Sequence, residues 1–219
     1  MSSMSLTSRG IETLPTVCSP APAADRRRWS HRTIDVAGVL LGGWLFLPVI
    51  AICAAWIYAM DGRPIFYQQW RVGQDGWLFR IYKLRTMRKD AEKAGARFAE
   101  KSDPRVLPGC GLVRRMHLDE LPQLWNILKG QMSLVGPRPE RPEMHEEIRR
   151  QVPSFDRRLA VRPGLTGRAQ LRQGYSNDLA GARRKLADDL RYLRCRSVAE
   201  DIRLIMATVT TRLWDRGAC

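Results

Sequence analysis

The longest uninterrupted apolar stretch of the chain covers residues 36–60, VAGVLLGGWLFLPVIAICAAWIYAM, without one charged side chain. At about 1.5 Å of rise per residue, a helix of that length reaches across the roughly 30 Å hydrocarbon layer of a bilayer. It is longer than the roughly 7–15 residue apolar core of a cleaved signal peptide. Trp44, Trp56 and Tyr58 sit toward its ends, where interfacial aromatics collect, which argues against a buried core helix. A membrane anchor over residues 31–60 is the expectation. Pro48 lies in its middle, removing one backbone donor and crowding the preceding turn, so a kink is predicted there. The halves 36–47 and 49–60 are each too short to cross alone. Arg26, Arg27, Arg28 and Arg32 precede the run and Arg63 and Arg71 follow it, and basic flanks stay on the cytoplasmic side. The predicted anchor is therefore a re-entrant helix turning at Pro48, with a plain spanning helix as the alternative.

Residues 1–30 carry Ser, Thr, Pro and Ala without apolar periodicity, the pattern of a disordered basic tail. Residues 61–215 read as a single mixed α/β domain, mostly helical. Two β-prone stretches, 65–67 and 77–82, flank the turn-forming Gly73-Gln74-Asp75-Gly76, which predicts a small β-hairpin. Residues 88–103 are polar and helix-prone and read as a surface excursion. Leu118, Leu121, Leu124, Trp125 and Leu128 follow a helical period. Pro122 fits only the first turn of that helix, so it should start near Asp119, with Asp119 as N-cap and Glu120 as its first residue. Near the C-terminus Val198, Ile202, Ile205, Val209 and Leu213 recur at helical intervals between Arg203 and Arg212. Such a stripe belongs either to an amphipathic interfacial helix or, more commonly, to a helix packed on a core.

Charge narrows the partners. Thirty-seven Lys and Arg against 22 Asp and Glu leave a formal charge of +15, which calls for nucleic acid, acidic lipid or phosphorylated substrates. Arginine outnumbers lysine 31 to 6, which suits bidentate phosphate contacts and equally the codon bias of a GC-rich genome. No nucleic-acid motif and no aromatic-basic stacking face is present, so nucleic acid is not an expected partner. Five cysteines without a C-x-x-C pair argue against a secreted disulfide framework and for a reducing compartment. His31, His117 and His145 show no zinc-ligand spacing.

The candidate chemistry centres on Asp119 and Glu120. At a helix N-terminus the dipole favours two ionised carboxylates, fit for a nucleophile or a metal ligand. The ordinary alternative is a capping Asp beside a solvated Glu. The surroundings favour chemistry. Lys83 and Arg85 occupy alternate positions of a predicted strand, Arg114 and Arg115 precede the pair, Arg138 stands between Pro137 and Pro139, and Arg162 precedes Pro163-Gly164. Flanking prolines restrict the backbone and preorganise a guanidinium. Cations from four segments meeting two carboxylates and a divalent cation would make a phosphoryl-transfer site. Periodicity alone does not bring them together.

The strings PIFYQQWRVGQDGWLFRIYKLRTM, DPRVLPGCGLVRRMHLDELPQLWNILKGQMSLVGPRPERPE, VRPGLTGRAQ and DDLRYLRCRSVAEDIRLI, in that order between about residues 33 and 210, closely resemble the bacterial sugar transferase family. These are monotopic polyprenyl-phosphate phosphoglycosyl transferases of the bacterial inner membrane, with the catalytic domain on its cytoplasmic face. They start exopolysaccharide, O-antigen and glycoprotein glycan assembly. The resemblance implies transfer of a sugar 1-phosphate from a UDP-sugar to polyprenyl (undecaprenyl) phosphate, releasing UMP. It implies Mg2+ as cofactor, Asp119 as nucleophile and metal ligand, Glu120 as its catalytic partner, and a covalent phospho-sugar intermediate. Lys83, Arg114 and Arg138 match the family's phosphate-handling positions, Asp189 matches a downstream acid, and Pro48 matches the break of a re-entrant anchor. The tract Pro108-Gly109-Cys110-Gly111, the pair Met116-His117 and Arg168 depart from the family pattern. The chain looks like the small, catalytic-unit form. A non-catalytic, arginine-rich membrane adaptor for acidic lipid is the competing reading.

Overall fold

The apolar run folds as one helix, α1 (Arg27–Asp61), in a computed structural model that describes residues 27–91, 103–172 and 179–214, with side chains described within 29–211 of those ranges. Pro48 lies inside α1 and the helix runs on through it, so the expected kink does not interrupt the secondary structure. The helix also starts four residues inside the predicted tail. The cause is visible one turn later, where His31 and Arg32 are tied to the domain. Residues 1–26 of that tail, and most of the expected excursion over residues 88–103, lie outside the described residues.

Both ends of α1 pack on the same domain. At the N-terminal end His31 Nδ1 meets Asp201 Oδ2 at 2.6 Å, and Arg32 donates to the carbonyl of Leu128 at 2.6 Å. Asp35 Oδ1 accepts from Ser133 Oγ and from the Leu134 amide, each at 2.8 Å. Val39 joins Phe79, Ile81, Ile127 and Met132 in one buried cluster. At the C-terminal end Cys53 and Ile57 join Leu84, Leu107 and Cys110 in another. Trp56 donates to the Pro108 carbonyl at 2.9 Å, and Arg85 grips Asp61. Between these attachments Leu40, Leu41, Trp44, Leu45, Leu47 and Ile52 are exposed, Leu41 and Trp44 by more than four-fifths. Six large apolar side chains bared on one segment form the kind of continuous patch that soluble surfaces avoid.

The predicted hairpin is present and longer than expected. Strands β1 (Phe66–Val72) and β2 (Leu78–Leu84) pair antiparallel, Tyr67 opposite Lys83 and Val72 opposite Leu78. Asp75 (φ 53°) and Gly76 (φ 84°) reverse the chain between them. A short helix, α2 (Cys110–Arg115), leads to the Asp119 segment.

That segment departs from expectation. Asp119 does not cap an α-helix; it and Glu120 lie in a 3₁₀ turn, Leu118–Gln123, followed by the short helix α3 (Leu124–Leu128). His117 takes a left-handed conformation (φ 54°) that ends the preceding turn and starts the new one, its carbonyl accepting from the Glu120 amide at 3.1 Å; Pro122, having no N–H, cannot donate to the Asp119 carbonyl in this i→i+3 pattern. The fully buried Asn126 fastens α3 to β2, accepting from the Tyr82 amide at 3.1 Å and donating to the Arg80 carbonyl at 2.7 Å. This bond pair sets the dyad segment in register with the strand that carries Lys83.

Strands β3 (Ser133–Val135) and β4 (Gly164–Thr166) pair in parallel, and the crossover between them carries α4 (Pro142–Gln151) and a 3₁₀ stretch, Pro153–Ala160. Helices α5 (Arg168–Arg172), α6 (Leu179–Cys195) and α7 (Val198–Trp214) complete the domain. On α7 the buried positions are Asp201 and Leu204, whereas Ile202, Met206 and Val209 are about half exposed. Packing of the predicted stripe on the core is thus overturned for Ile202 and Val209. The domain takes α7 by its Asp201 face, through the bonds of that carboxylate to His31 and, at 2.8 Å, to the Tyr192 hydroxyl.

Glycine is obligatory where β3 ends and β4 begins. A Cβ on Gly164 would lie 2.0 Å from the Gly136 nitrogen, backbone that has no room to withdraw. Gly164→Ala is expected to destabilise the protein by roughly 2–4 kcal/mol, read as a lowered thermal midpoint. An unchanged midpoint would show that the two segments part freely.

Candidate active site

The site is built from the strand β2, the 3₁₀ turn and the loop after β3. Lys83 leaves the end of β2 and donates to Glu120 Oε1 at 2.6 Å. Arg138 reaches Glu120 with two donors, Nη2 to Oε1 at 2.6 Å and Nη1 to Oε2 at 3.2 Å. Burial alone would raise the Glu120 carboxyl, but the charges of Arg138 and Lys83 and their hydrogen bonds hold it well below the usual carboxylate range. Glu120 is therefore a permanent anion with its oxygens committed to two cations. Burial also pulls the Lys83 ammonium down from its ordinary value, against the pull of Glu120.

Asp119 behaves differently. It is half-buried, and burial pushes its carboxyl up to about 6, with Glu120 adding to the rise and Lys83 and Arg114 opposing it. Arg114, which also donates to Thr86 Oγ1 at 3.3 Å, thus stands close to Asp119. The 3₁₀ turn packs against α1, and Asp119 lies near enough to Cys53 and Cys110 to act on them electrostatically. Asp119 therefore lies on the α1 side of the pair.

Arg138 is held by its backbone. The carbonyls of Pro137, Arg138, Pro139 and Glu140 each accept a hydrogen bond, from three segments in all: the Gly164 amide (2.9 Å), Arg158 Nη2 (2.8 Å), and, on β1, Arg71 Nη1 (3.1 Å) and the Val72 amide (3.0 Å). Behind the loop the fully buried Arg158 donates to Asp189 Oδ2 at 2.8 Å and lies 3.5 Å from Glu140, which also accepts from Lys185 at 2.7 Å. Despite burial, Lys185 and Arg158 draw the Glu140 carboxyl down to about 2.

Of the eight residues singled out in the sequence as catalytic or phosphate-binding, the structure gathers Asp119, Glu120, Lys83, Arg114 and Arg138. It does not bring the other three to the carboxylates. Arg85 lies past the end of β2, where it donates to the Gly62 carbonyl at 2.8 Å and pairs with Asp61. Arg162 acts on Asp35 of α1. Asp189 is buried on Arg158, so it supports the Arg138 loop from behind. Two residues escaped sequence reasoning. Arg158 lacked any local sign of burial. Arg71 sits on the Lys83 face of the hairpin, next to Arg138; its ordinary pKa falls to about 10 through burial and that neighbouring charge, and its Nε has no acceptor among the described residues. The two-residue period of β1 was the available signal.

Among the described residues no group of three or more His, Cys, Asp or Glu is assembled for a metal. Magnesium asks for less, commonly one or two carboxylates with phosphate oxygens and water supplying the rest. Asp119 fits as such a ligand, being a carboxylate without an ion-pair partner among the described residues, whereas Glu120 is already neutralised.

Asp119 keeps its proton in the folded chain to about pH 6, while the unfolded chain releases it near 3.8. The folded state then binds more protons than the unfolded state over that interval, so this group's contribution falls as pH rises through it and is a net cost above it. Asp119→Asn should raise the thermal midpoint at pH 7.5 by the equivalent of roughly 1–2 kcal/mol after screening at its partial exposure. The gain should shrink as pH falls from 6 to 4 in chelator-treated protein; a pH-independent difference would mean that the burial cost of Asp119 is not what sets it.

The profile of the family described as "Bacterial sugar transferase" matches residues 26–215. The chain is 37% identical over 187 residues to "UDP-N-acetylgalactosamine-undecaprenyl-phosphate N-acetylgalactosaminephosphotransferase" of Aeromonas hydrophila, an alignment covering 85% of this chain and 44% of that protein. It is 47% identical over 128 residues to a "Putative undecaprenyl-phosphate N-acetylgalactosaminyl 1-phosphate transferase" of Bacillus subtilis, covering 58% of this chain and 72% of the relative. With "UDP-glucose:undecaprenyl-phosphate glucose-1-phosphate transferase" of Caulobacter vibrioides it shares 35% identity over 201 residues, 91% of this chain and 74% of the other. The match thus spans less than half of the Aeromonas protein and about three-quarters of the other two. With the family profile running through the anchor, the hairpin and the clamped dyad alike, this chain belongs to the bacterial sugar transferase family.

Proposed function

We propose that the chain transfers a sugar 1-phosphate from a UDP-sugar to a polyprenyl phosphate, undecaprenyl phosphate being the acceptor in its relatives' names, and releases UMP. The observation that carries this reading is the unequal carboxylate pair: Glu120 clamped by Lys83 and Arg138, and beside it Asp119, half-buried, on the α1 side. In the first step Asp119, ionised above about pH 6, attacks the phosphorus that bears the sugar. The bond to the bridging oxygen breaks and UMP leaves with its electron pair. In the second step a phosphate oxygen of the polyprenyl phosphate attacks the same phosphorus and frees the Asp119 carboxylate. Glu120 keeps Lys83 and Arg138 fixed where phosphate charge develops, so that their orientation precedes binding. Asp119 would hold Mg2+, which would supply further neutralisation of the diphosphate. The product lipid starts a glycan such as an exopolysaccharide or O-antigen chain.

The anchor is read as re-entrant, at the cytoplasmic face of the bacterial inner membrane. The support is geometric: a spanning helix separates its ends by a bilayer, whereas Asp35 and Ile57 pack on one domain. The half-exposed Ile202, Met206 and Val209 of α7 suit a helix lying in the interface of that same leaflet. A non-catalytic adaptor for acidic lipid accounts for the charge and the anchor but gives no reason to clamp Glu120 between two cations beside a protonatable Asp119.

Purified protein given Mg2+, polyprenyl phosphate and a panel of UDP-sugars should release UMP with at least one of them. Asp119→Ala should lower that rate by at least about a thousandfold while folding and inserting normally. For the wild type kcat/KM should fall about tenfold per pH unit below about 6 and level off above it. Turnover that survives Asp119→Ala removes the nucleophile assignment, and absence of UMP release with every donor favours the adaptor. For the anchor, cysteines replacing Ser30 and Arg63 should both react with an impermeant maleimide in inverted membrane vesicles and neither in intact cells. Labelling from opposite sides would establish a spanning helix.

A further inference from the structure

The turn that joins α6 to α7, Arg196-Ser197, walls a cavity of about 400 Å3. Ser30 and His31 of α1 form its other side, and Arg194, Cys195 and Val198 complete the lining. Its chemistry is cationic. Arg194 is exposed, and among the described residues no acidic side chain pairs with it. Arg196 donates to the Tyr192 hydroxyl, but its Nε is enclosed and has no acceptor among the described residues. The nearest carboxylates are already engaged. Asp201 accepts from Tyr192 at 2.8 Å and faces His31 at 2.6 Å, while Glu200 meets Arg168 at 3.2 Å and Arg203 at 3.5 Å. Ser197 caps α7 through the Glu200 amide at 3.2 Å, which orients the positive end of that 17-residue helix beside the two arginines.

Two guanidiniums, a capped helix start and an enclosed unpaired N–H, with no uncommitted carboxylate, suit a tetrahedral oxyanion. None of these groups is a nucleophile or faces the dyad. We propose that this cavity is a second, non-catalytic binding site for a phosphate ester. The ester has two possible sources, an anionic phospholipid headgroup or a free phosphate. The flanks suit the headgroup. Trp29, two residues before His31, is four-fifths exposed, and the bared Ile202, Met206 and Val209 continue from the cavity along α7. Aromatic and aliphatic side chains beside a basic pocket are the composition of a bilayer interface.

Cys195 provides a reporter in the unaltered protein, since it lines the cavity and is exposed, whereas Cys53 and Cys110 are buried. Its maleimide reaction, followed by peptide-resolved mass spectrometry, would be compared in nanodiscs of phosphatidylcholine with and without phosphatidylglycerol. A second arm adds inorganic phosphate at constant ionic strength. A ligand at about ten times its Kd should slow labelling roughly tenfold. The protection should be lost in Arg194→Gln/Arg196→Gln and kept in Arg157→Gln/Arg183→Gln, which removes the same charge from exposed positions elsewhere. Protection by phosphatidylglycerol alone identifies the headgroup as the source, and protection by inorganic phosphate identifies a free ester; either supports the site. No protection in either arm of the wild type, or equal loss in both double variants, overturns it.

Discussion

Everything at the site depends on how the four residues Pro137, Arg138, Pro139 and Glu140 are held. Two of them are prolines without an N–H, so the loop makes little use of its own backbone donors and offers its carbonyls instead. The carbonyls are taken by three parts of the fold: β4, the crossover through Arg158, and the hairpin twice. A buried carbonyl left unpaired costs on the order of 1–3 kcal/mol, so displacement of this loop disturbs three segments together. The Arg138 guanidinium therefore starts from a backbone that cannot drift. Glu120, which it grips with two donors, inherits that position.

The consequence is a division of labour between adjacent carboxylates that look equivalent in sequence. Glu120 is locked as an anion by Arg138 and Lys83, and Asp119 carries the burden of desolvation with less compensation. A carboxylate that is costly to keep ionised has more to gain from meeting an electrophilic phosphorus or a metal ion than one already satisfied. The turn that carries that carboxylate packs against α1, which puts the pair on the anchor side of the domain.

The elements with strong local signals were legible in the sequence: the apolar length of α1 and the hairpin around Gly73-Gln74-Asp75-Gly76; that Lys83, Arg114 and Arg138 stand near the carboxylates was legible only through the resemblance to the family. Where local rules gave out, a long-range contact or a single backbone angle had intervened. Alternation along a strand put Arg85 beside Lys83, but β2 ends at Leu84, and Arg85 turns to Asp61. The helix expected at Asp119 became a 3₁₀ turn because His117 adopts a positive φ that its residue type does not announce. On α7 the apolar period was real, yet the buried face was chosen by Asp201 through its polar bonds to His31 and Tyr192. Arg158, Asn126 and Arg71 acquire their meaning only from partners tens of residues away, which no window along the chain contains.

The double attachment of α1 has a consequence for biogenesis. The helix emerges from the ribosome before the domain whose two apolar clusters it completes through Val39 at one end and Cys53 and Ile57 at the other. Until the later segments arrive, those side chains have only lipid to shelter them. The helix is thus part of the interior of the domain that follows it in the chain. Solubilising the domain by trimming away its tether would remove part of its own interior.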